Sequence, residues 1–113
     1  MAEASGTASY AGGVHTVASG QGSHSSGYYT IANHVSQFVF GEYNILDNST
    51  ATPDSRGDYV EIVGNGTSTT TRSNARSLDW DGNEKLAGNL TLANQVSLVY
   101  STTLNTLSFV FND

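Results

Sequence analysis

The sequence predicts an all-β chain, and three observations support this prediction. No long stretch places apolar residues at the i, i+3, i+4 and i+7 spacing of an amphipathic helix. Ser, Thr, Asn and Gly make up 50 of the 113 residues, and β-branched side chains are frequent. A fourteen-residue period runs through the N-terminal part of the chain. We therefore expect short strands joined by turns, with almost no helix.

Size and composition narrow the classes of protein. A chain of 113 residues and 11.9 kDa suffices for one small domain or two very small ones. The low charge content of 12%, together with six Tyr, four Phe and one Trp, is not typical of wholesale disorder. No apolar run approaches the ~18 residues that cross a bilayer, and no signal-peptide pattern opens the sequence. The absence of Cys excludes disulfides, thiolate zinc sites and Cys nucleophiles.

The charge balance argues against a nucleic-acid partner. Four basic and ten acidic residues give a net charge of −6. Nucleic-acid binding requires clustered Lys and Arg that neutralise phosphates. The basic residues are instead scattered along the sequence, at Arg56, Arg72, Arg76 and Lys85. The acidity favours solubility and specifies no partner.

About three copies of a fourteen-residue repeat cover residues 4–47. Several columns of matching residues recur at this single interval, so the repeat does not depend on any one column. The columns are Gly13, Gly27 and Gly41; Val17, Ile31 and Ile45; Ala4, Ala18 and Ala32; Thr16, Thr30 and Asn44; Tyr10, His24 and Phe38; and Ala11, Ser25 and Val39.

The repeat predicts a coiled sheet. Each copy is expected to supply two strands of about five residues, and stacked copies to pair in parallel about 4.8 Å apart. The Gly column suits a corner that needs a positive φ or a close approach of two backbones. Because the inward-facing columns hold only small side chains, one chain buries little and is expected to need neighbouring subunits. Candidates for the subunit interface are the aromatic residues Tyr10, Phe38, Phe40, Tyr28, Tyr29 and Tyr43.

The segment Ala-Ser-Gly-Gln-Gly-Ser-His-Ser-Ser-Gly at residues 18–27 resembles the repeat of YadA-like head domains. The resemblance implies a left-handed parallel β-roll that assembles as an intertwined homotrimer. Such rolls occur in trimeric autotransporter adhesins and in prophage tail fibres. The third copy, at residues 36–41, is more apolar than the usual head repeat, and we expect it to cap the roll.

The remaining sequence predicts a loop, a strand and two hairpins. Residues 48–57 have the composition of a loop, and residues 58–63 alternate as a strand does. Residues 77–80 and 83–87 flank Asp81-Gly82, a pair that favours a tight type I′ turn. A second hairpin is predicted around residues 101–106. Its apolar positions are Val96, Leu98 and Tyr100 on one strand and Leu107, Phe109 and Phe111 on the other.

Residues 62–88 carry a second resemblance. The run Ile-Val-Gly-Asn-Gly-Thr-Ser, then Arg-Ser-Asn-Ala, Leu-Asp-Trp-Asp-Gly-Asn and Ala-Gly is similar to a segment of tail-fibre and tail-spike proteins from phages of Gram-positive bacteria. In those proteins the segment follows head-type repeats. The two resemblances imply two regions, residues 4–47 with the repeats and residues 48–113 with the tip, in one continuous unit. The whole chain resembles the distal end of a longer fibre.

These resemblances imply a non-enzymatic, homotrimeric tip module of a phage or prophage tail fibre. The module would lie on the virion tail or an extracellular surface, and its exposed Tyr, Ser, Thr and Asn side chains would bind host glycan. No membrane insertion and no cofactor are expected. The C-terminal hairpins are expected to close the roll by burying Trp80, Leu78, Leu98, Phe109 and Phe111. Two alternatives stay open: a bacterial trimeric adhesin head fragment, and a self-cleaving chaperone-type tail domain.

Three motifs suggest more specific functions, but for each of them we favour a simpler structural role. Arg56-Gly57-Asp58 matches an integrin-type tripeptide, although Gly and Asp also favour a simple turn. His15, His24 and His34 fall in different columns of the repeat, which disfavours a metal site within one chain. In the segment Arg72-Ser73-Asn74, Ser73 would be the nucleophile of a self-cleaving domain. Arg72 and Asn74 are more simply expected to make structural hydrogen bonds at the start of a strand.

A glycosidase needs two carboxylates about 5 to 9.5 Å apart across a cleft. Seven acidic residues at positions 47–84 could include such a pair, but a slim roll offers little cleft, so we expect them to occupy solvated turns. They are Asp47, Asp54, Asp58, Glu61, Asp79, Asp81 and Glu84. We therefore assign no catalytic, metal-binding or cofactor-binding residue, and the glycan-binding residues stay unassigned.

Overall fold

A computed structural model describes residues 1–52, 54–93 and 96–111, and within these ranges the chain is all-β without a helix. The predicted fold class is therefore confirmed at the level of an all-β protein with three sheets. Pro53, in the predicted loop, lies outside the described residues. The strands are β1 (Glu3–Ala4), β2 (Tyr10–Val14), β3 (Val17–Ala18), β4 (His24–Tyr28), β5 (Ile31–Ala32), β6 (Phe38–Glu42), β7 (Tyr59–Asn65), β8 (Asn74–Asp79), β9 (Glu84–Leu86), β10 (Leu90–Leu92), β11 (Val96–Ser101) and β12 (Thr106–Phe111).

The fourteen-residue repeat pairs its copies in parallel. A short sheet has the order β1-β3-β5, and a longer sheet begins with β2-β4-β6. Ala18 pairs with Ala32 in the short sheet, and Ser25 pairs with Val39 in the longer one, so each copy lies one repeat from its neighbour. The expectation of two five-residue strands per copy is wrong for the second strand, which has two residues. In β3 it ends where the next two residues, Ser19 and Gly20, both donate to the Ala32 carbonyl and the chain leaves the sheet.

The buried apolar residues of the repeat region are small, as the sequence predicts, and most of their buried neighbours carry hydroxyl or amide groups. Ala18, Ala32, Thr16, Thr30, Ser25 and Val39 have no exposed surface. The hydroxyl groups of Ser25 and Thr30 share a hydrogen bond of 2.8 Å in this interior. Ile62 of β7 extends the interior beyond the last repeat and packs with Ala32 and Val39. The apolar core of the described chain is therefore narrow, and it provides little hydrophobic stabilisation within one subunit.

The Gly column lies where strands β2, β4 and β6 meet a corner. Gly13, Gly27 and Gly41 have φ values of 106°, 108° and 98°, so the predicted positive φ is confirmed. Successive members of the column face one another across the parallel pairing. A Cβ atom on Gly13 would lie 2.2 Å from the carbonyl oxygen of Gly27, so the backbones approach too closely for any side chain.

Two asparagine side chains end the parallel array. The amide of Asn44 accepts from Ile31 N at 2.8 Å and donates to Ile31 O at 3.1 Å, as a neighbouring strand would. Asn74 likewise accepts from Ile45 N at 2.7 Å. These bonds satisfy the edge groups of the short sheet without a fourth strand. The short sheet therefore stops at β5, whereas the long sheet gains one more parallel strand, because β6 pairs in parallel with β7.

A buried carboxylate fastens the loop that follows the repeats. Asp47 is 2% exposed, and its Oδ2 accepts from Asp58 N at 2.7 Å and from Tyr59 N at 3.0 Å. Oδ2 also accepts from Gln37 Nε2 at 3.0 Å, and Oδ1 accepts from Ser49 N at 3.0 Å. Four donors thus surround one carboxylate and tie both ends of the loop to the third repeat.

The hairpin predicted for residues 77–87 forms, but its predicted turn is wrong. Strands β8 and β9 pair antiparallel, with Leu78 opposite Glu84. A type I′ turn needs a positive φ at two central residues, and only Gly82 has one, at 89°. Gly82 N donates to Asp79 O, and the Asp79 carboxylate accepts from the amides of Asp81 and Asn83. These bonds, above all those from Asn83, hold the pKa of Asp79 below its ordinary value and favour the wider turn.

The last three strands form a separate antiparallel sheet. The predicted hairpin around residues 101–106 is confirmed as β11 and β12, and β10 adds a third strand. A strand of three residues is too short to show a period, so β10 was not predicted. The expected burial of the terminal aromatics is not reached within a single chain. Phe109 and Phe111 are largely exposed, while Leu78, Trp80 and Leu98 are half-buried, because nothing in the described chain covers the face that carries the two phenylalanines.

Candidate interaction surfaces

A stack of three rings, here called the outer ladder, follows the long sheet. Tyr10 stacks on His24 with ring centres 4.5 Å apart, and His24 stacks on Phe38 at 4.2 Å. The three residues pair directly in the parallel strands, so the strand spacing sets the ring spacing. Tyr10 and Phe38 are about half exposed. Two members of the aromatic set expected at an interface therefore lie on one open face.

A second stack, the corner ladder, was not predicted as a unit. His15, Tyr29 and Tyr43 stack at 4.7 and 4.9 Å, and each has a positive φ, at 52°, 56° and 41°. A non-glycine residue in this region costs about 1 to 3 kcal/mol, so stacking and corner geometry must offset that strain three times. The signal was present, because the three residues lie fourteen apart. Taken singly, His15 is expected to stack in the roll or to be exposed rather than to bind a metal, and this expectation does not connect it to Tyr29 and Tyr43.

Arg72 covers the end of the corner ladder. Its Nη1 donates to Tyr29 O and to Asn44 O at 3.1 Å each, and its guanidinium lies 5.9 Å from the Tyr43 ring centre. Loss of water around the Tyr43 phenol raises its pKa, and the nearby phenols of Tyr28 and Tyr29 raise it further. The structural hydrogen bonds predicted for Arg72 and Asn74 are therefore confirmed. Ser73, the candidate nucleophile between them, donates its backbone N–H to Tyr43 O at 3.0 Å.

A groove, here called the end groove, opens where the short sheet stops. The short sheet ends at β5, while the long sheet continues through β7, β8 and β9. The groove has a volume of about 320 Å³. Its lining combines amides and hydroxyls with a few apolar groups and includes Asn48, Ser73, Asn74, Ser77, Lys85, Ile45 and Tyr59. Arg76 also lines it, and this guanidinium is ion-paired with Glu61. Such a lining can bond the hydroxyl groups of a sugar.

The C-terminal sheet gathers its large side chains on one side, here called the apolar face. Leu98 pairs with Leu90 on one neighbour and with Phe109 on the other, and Tyr100 pairs with Leu107. Since residues two apart share a side of a strand, these pairs define one continuous face. The face consists of Leu90, Leu92, Val96, Leu98, Tyr100, Leu107, Phe109 and Phe111. The opposite side carries Thr91, Ser97, Val99, Ser101, Thr106, Ser108 and Val110.

The three residues of the Arg-Gly-Asp tripeptide pack against or bond to other parts of the chain. The Arg56 guanidinium lies 4.0 Å from the centre of the Trp80 ring. A Cβ on Gly57 would lie 2.3 Å from an Asp47 oxygen, and Asp58 N donates to that carboxylate. Glycine at position 57 is thus required by packing against Asp47. The tripeptide thus makes structural contacts immediately before β7 begins at Tyr59.

The three histidines lie in different environments and do not form a common site. His15 and His24 belong to the two ladders, and His34 is buried, with Nδ1 3.2 Å from Thr52 O. Within residues 1–52, 54–93 and 96–111, no group of three His, Asp or Glu side chains is arranged to hold a metal ion. Two of the seven candidate acids, Asp47 and Asp79, fasten loops, and Glu61 pairs with Arg76.

Two further observations complete the description. Among the described residues, no helix is long and apolar enough to span a membrane. Comparison of the chain with protein-family models, with curated proteins and with solved structures found no match in any of the three.

Proposed function

We propose that the chain is a non-enzymatic, homotrimeric tip module of a phage or prophage tail fibre that attaches the virion to glycan on the host surface. The observation that carries the proposal is the parallel pairing of three copies at an offset of one repeat. This pairing fits the head-type repeat that the sequence resembles. The segment resembling tail-fibre proteins follows it in the expected order.

The shape and the narrow interior support a structural role in a fibre. The described chain extends 49 × 27 × 26 Å, so it is elongated. Stacked repeats give a rod whose length grows with each copy. The apolar side chains that one chain buries in the repeat region are few and small, and repeat units of this kind depend on neighbours to cover their apolar surface. A left-handed roll that associates as a trimer meets this need.

The exposed outer ladder supports association through the long sheet. Its rings stack on one another and present their edges and end faces outward. Aromatic rings provide much of the buried area at protein interfaces. The three rings carry only one hydroxyl group and one imidazole between them, so the contact is mostly aromatic surface. In the trimer the three outer ladders face neighbouring subunits, and the end groove stays open to solvent.

The mass of the protein in solution tests the trimer. Light scattering on a sizing column is expected to give about 36 kDa, three times the chain mass of 11.9 kDa. The mass is expected to stay constant over a hundredfold dilution, because subunits with small interiors depend on one another for stability. A mass near 11.9 kDa with a cooperative thermal transition would overturn the trimeric proposal, since one chain would then complete its own core.

Glycan attachment is assigned to the end groove. We expect the double variant Asn48→Ala/Lys85→Ala to bind purified Gram-positive cell-wall polysaccharide about five- to tenfold more weakly than the parent, since each lost polar contact costs about 0.5 to 1.5 kcal/mol. Both side chains are exposed and line the groove. Asn89→Ala, exposed but outside the groove, is the matched control. Equal loss in both variants, or binding unchanged in the double variant, would remove the groove from the proposal.

A further inference from the structure

We infer that the apolar face of the C-terminal sheet is a second subunit interface, and that its occupant is the same face on two further copies of the chain. The inference rests on the proposed trimer and names the surface that seals its end. It differs from the outer ladder, which lies on the long sheet and belongs to the repeats.

The first step is the asymmetry of the sheet. All eight side chains of the apolar face are large and uncharged, whereas the opposite side consists of hydroxyl groups and valines. Antiparallel sheets normally pack one face against a core and leave the other in water. Three strands need a covered hydrophobic face to be stable. The pattern therefore identifies which side of this sheet is meant to be covered.

The second step is exposure. Six of the eight side chains are between 39% and 76% exposed in the single chain. An aromatic side chain carries about 150–250 Å², so Tyr100, Phe109 and Phe111 alone present on the order of 300–500 Å² of apolar surface. With the leucines, the face exceeds the ~300–600 Å² that is the largest patch on a typical monomer. It approaches the ~800 Å² that each partner contributes to a standard interface.

The third step is charge, which selects the occupant. Residues 86–112 contain no Asp, Glu, Lys, Arg or His. Proteins that lie on anionic membranes use Lys and Arg beside their apolar residues, and this sheet has none. An uncharged face is complementary to another uncharged face, since no buried charge is left unpaired. A second copy of the chain supplies such a face in equal amount.

The fourth step is continuity with the rest of the proposed trimer. A groove of about 340 Å³ joins the apolar face to β9, and its lining consists of Leu86, Gly88, Leu90, Leu98, Tyr100 and Leu107 together with one charged residue, the exposed Glu84. Leu86 lies in the row of the long sheet that also contains Arg76 and Val63. The apolar face therefore continues the side of the long sheet that carries the outer ladder. One trimer axis can thus serve both surfaces.

The test compares two substitutions on strand β12. Phe109→Ser removes a side chain from the apolar face, and Val110→Ser removes its neighbour from the opposite side. At micromolar concentration we expect Phe109→Ser to shift the mass by light scattering from about 36 kDa toward the 11.9 kDa monomer, while Val110→Ser stays trimeric. A Phe109→Ser protein that keeps the trimer mass would overturn the inference and leave the proposed function standing. A monomeric parent protein would overturn both.

Cross-linking keeps the inference testable if Phe109→Ser does not fold. The chain has no Cys, so Phe109→Cys and Val110→Cys each introduce a single thiol. Under mild oxidation or with a short bismaleimide, we expect Phe109→Cys to give a covalent dimer at high yield and Val110→Cys to give little. Equal yields would overturn the inference. So would co-sedimentation of the Phe109→Cys protein with phosphatidylcholine vesicles that abolishes its cross-link, because the occupant would then be a lipid surface.

Discussion

Replacement of Gly27 by alanine is expected to prevent folding of the repeat region, or to destabilise it by about 3 kcal/mol or more. Gly27 has a φ of 108°, which side chains of L-residues rarely adopt. A Cβ atom would lie 2.2 Å from the carbonyl oxygen of Gly41. That oxygen belongs to the backbone of the next strand, which is held by its own pairing with β7. Neither strand can move aside without breaking the ladder.

Thermal and urea unfolding of the Gly27→Ala protein, followed by circular dichroism at a fixed protein concentration, measures this effect. The matched control is Gly88→Ala, because an added Cβ there meets nothing within 4 Å. We expect the control to lie within about 1 kcal/mol of the parent. If Gly27→Ala unfolds at the same urea concentration as the parent, the close approach of the strands at this corner is wrong, and so is the parallel register that creates it.

The register itself was predictable from the sequence, and the reason is physical. A parallel coil repeats every contact, so residues with special demands recur at one interval. Gly27 and Gly41 share a demand for close approach, and Ala18 and Ala32 share a demand for small volume. Because two independent structural requirements recur at the same interval, only one alignment of the copies satisfies both. The parallel pairing and the small interior follow from it.

The corner ladder and the end of the short sheet were not predicted, because residues there adopt conformations or hydrogen bonds that are unusual for their type. Tyr29 and Tyr43 adopt a positive φ that aromatic residues seldom tolerate. Asn44 replaces the Thr of its column and uses its amide as a substitute strand. Where a side chain makes the hydrogen bonds that a backbone strand would otherwise make, the only trace in the sequence is one changed residue in a column.

The apolar face shows a different limit of sequence reasoning. The alternation at Leu107, Phe109 and Phe111 predicts a strand with one covered side, and the strand is present. The alternation says nothing about which chain supplies the cover. Whether the cover comes from the same chain or from a neighbouring one stays open in the sequence, and these residues are exposed in the single chain. Contacts between subunits leave the same pattern as contacts within one subunit.

The buried carboxylate of Asp47 gives the second large expected effect. We expect Asp47→Ala to lower the free energy of unfolding by about 3 kcal/mol or more, because each buried donor that loses its acceptor costs about 1 to 3 kcal/mol. The donors are the backbone amides of Ser49, Asp58 and Tyr59 and the side-chain amide of Gln37. Water cannot easily replace the carboxylate, since Asp47 is 2% exposed and Gln37 has no exposed surface.

Asp47→Asn separates the hydrogen bonds from the volume of the side chain. Its amide oxygen can still accept hydrogen bonds at the position of Oδ2. Its NH₂ group, however, would face the backbone N–H of Ser49, which now donates to Oδ1. We therefore expect the free energy of unfolding of Asp47→Asn, measured with urea, to lie between that of the parent and that of Asp47→Ala. Asp54→Ala, at an exposed position in the same loop, is the control and is expected to change stability by less than about 0.5 kcal/mol.

The location of the loss distinguishes this account from a general weakening of the fold. Asp47 fastens residues 49, 58 and 59, so limited proteolysis of Asp47→Ala is expected to cut within the loop before the repeats. The two ladders lie on other strands and keep their pairing. Cleavage that begins in residues 10–42, or equal protection of the loop in parent and variant, would contradict the role of Asp47 as the fastening of this loop. Because Asp58 N is one of its donors, the same result also decides whether the Arg-Gly-Asp turn depends on the buried carboxylate.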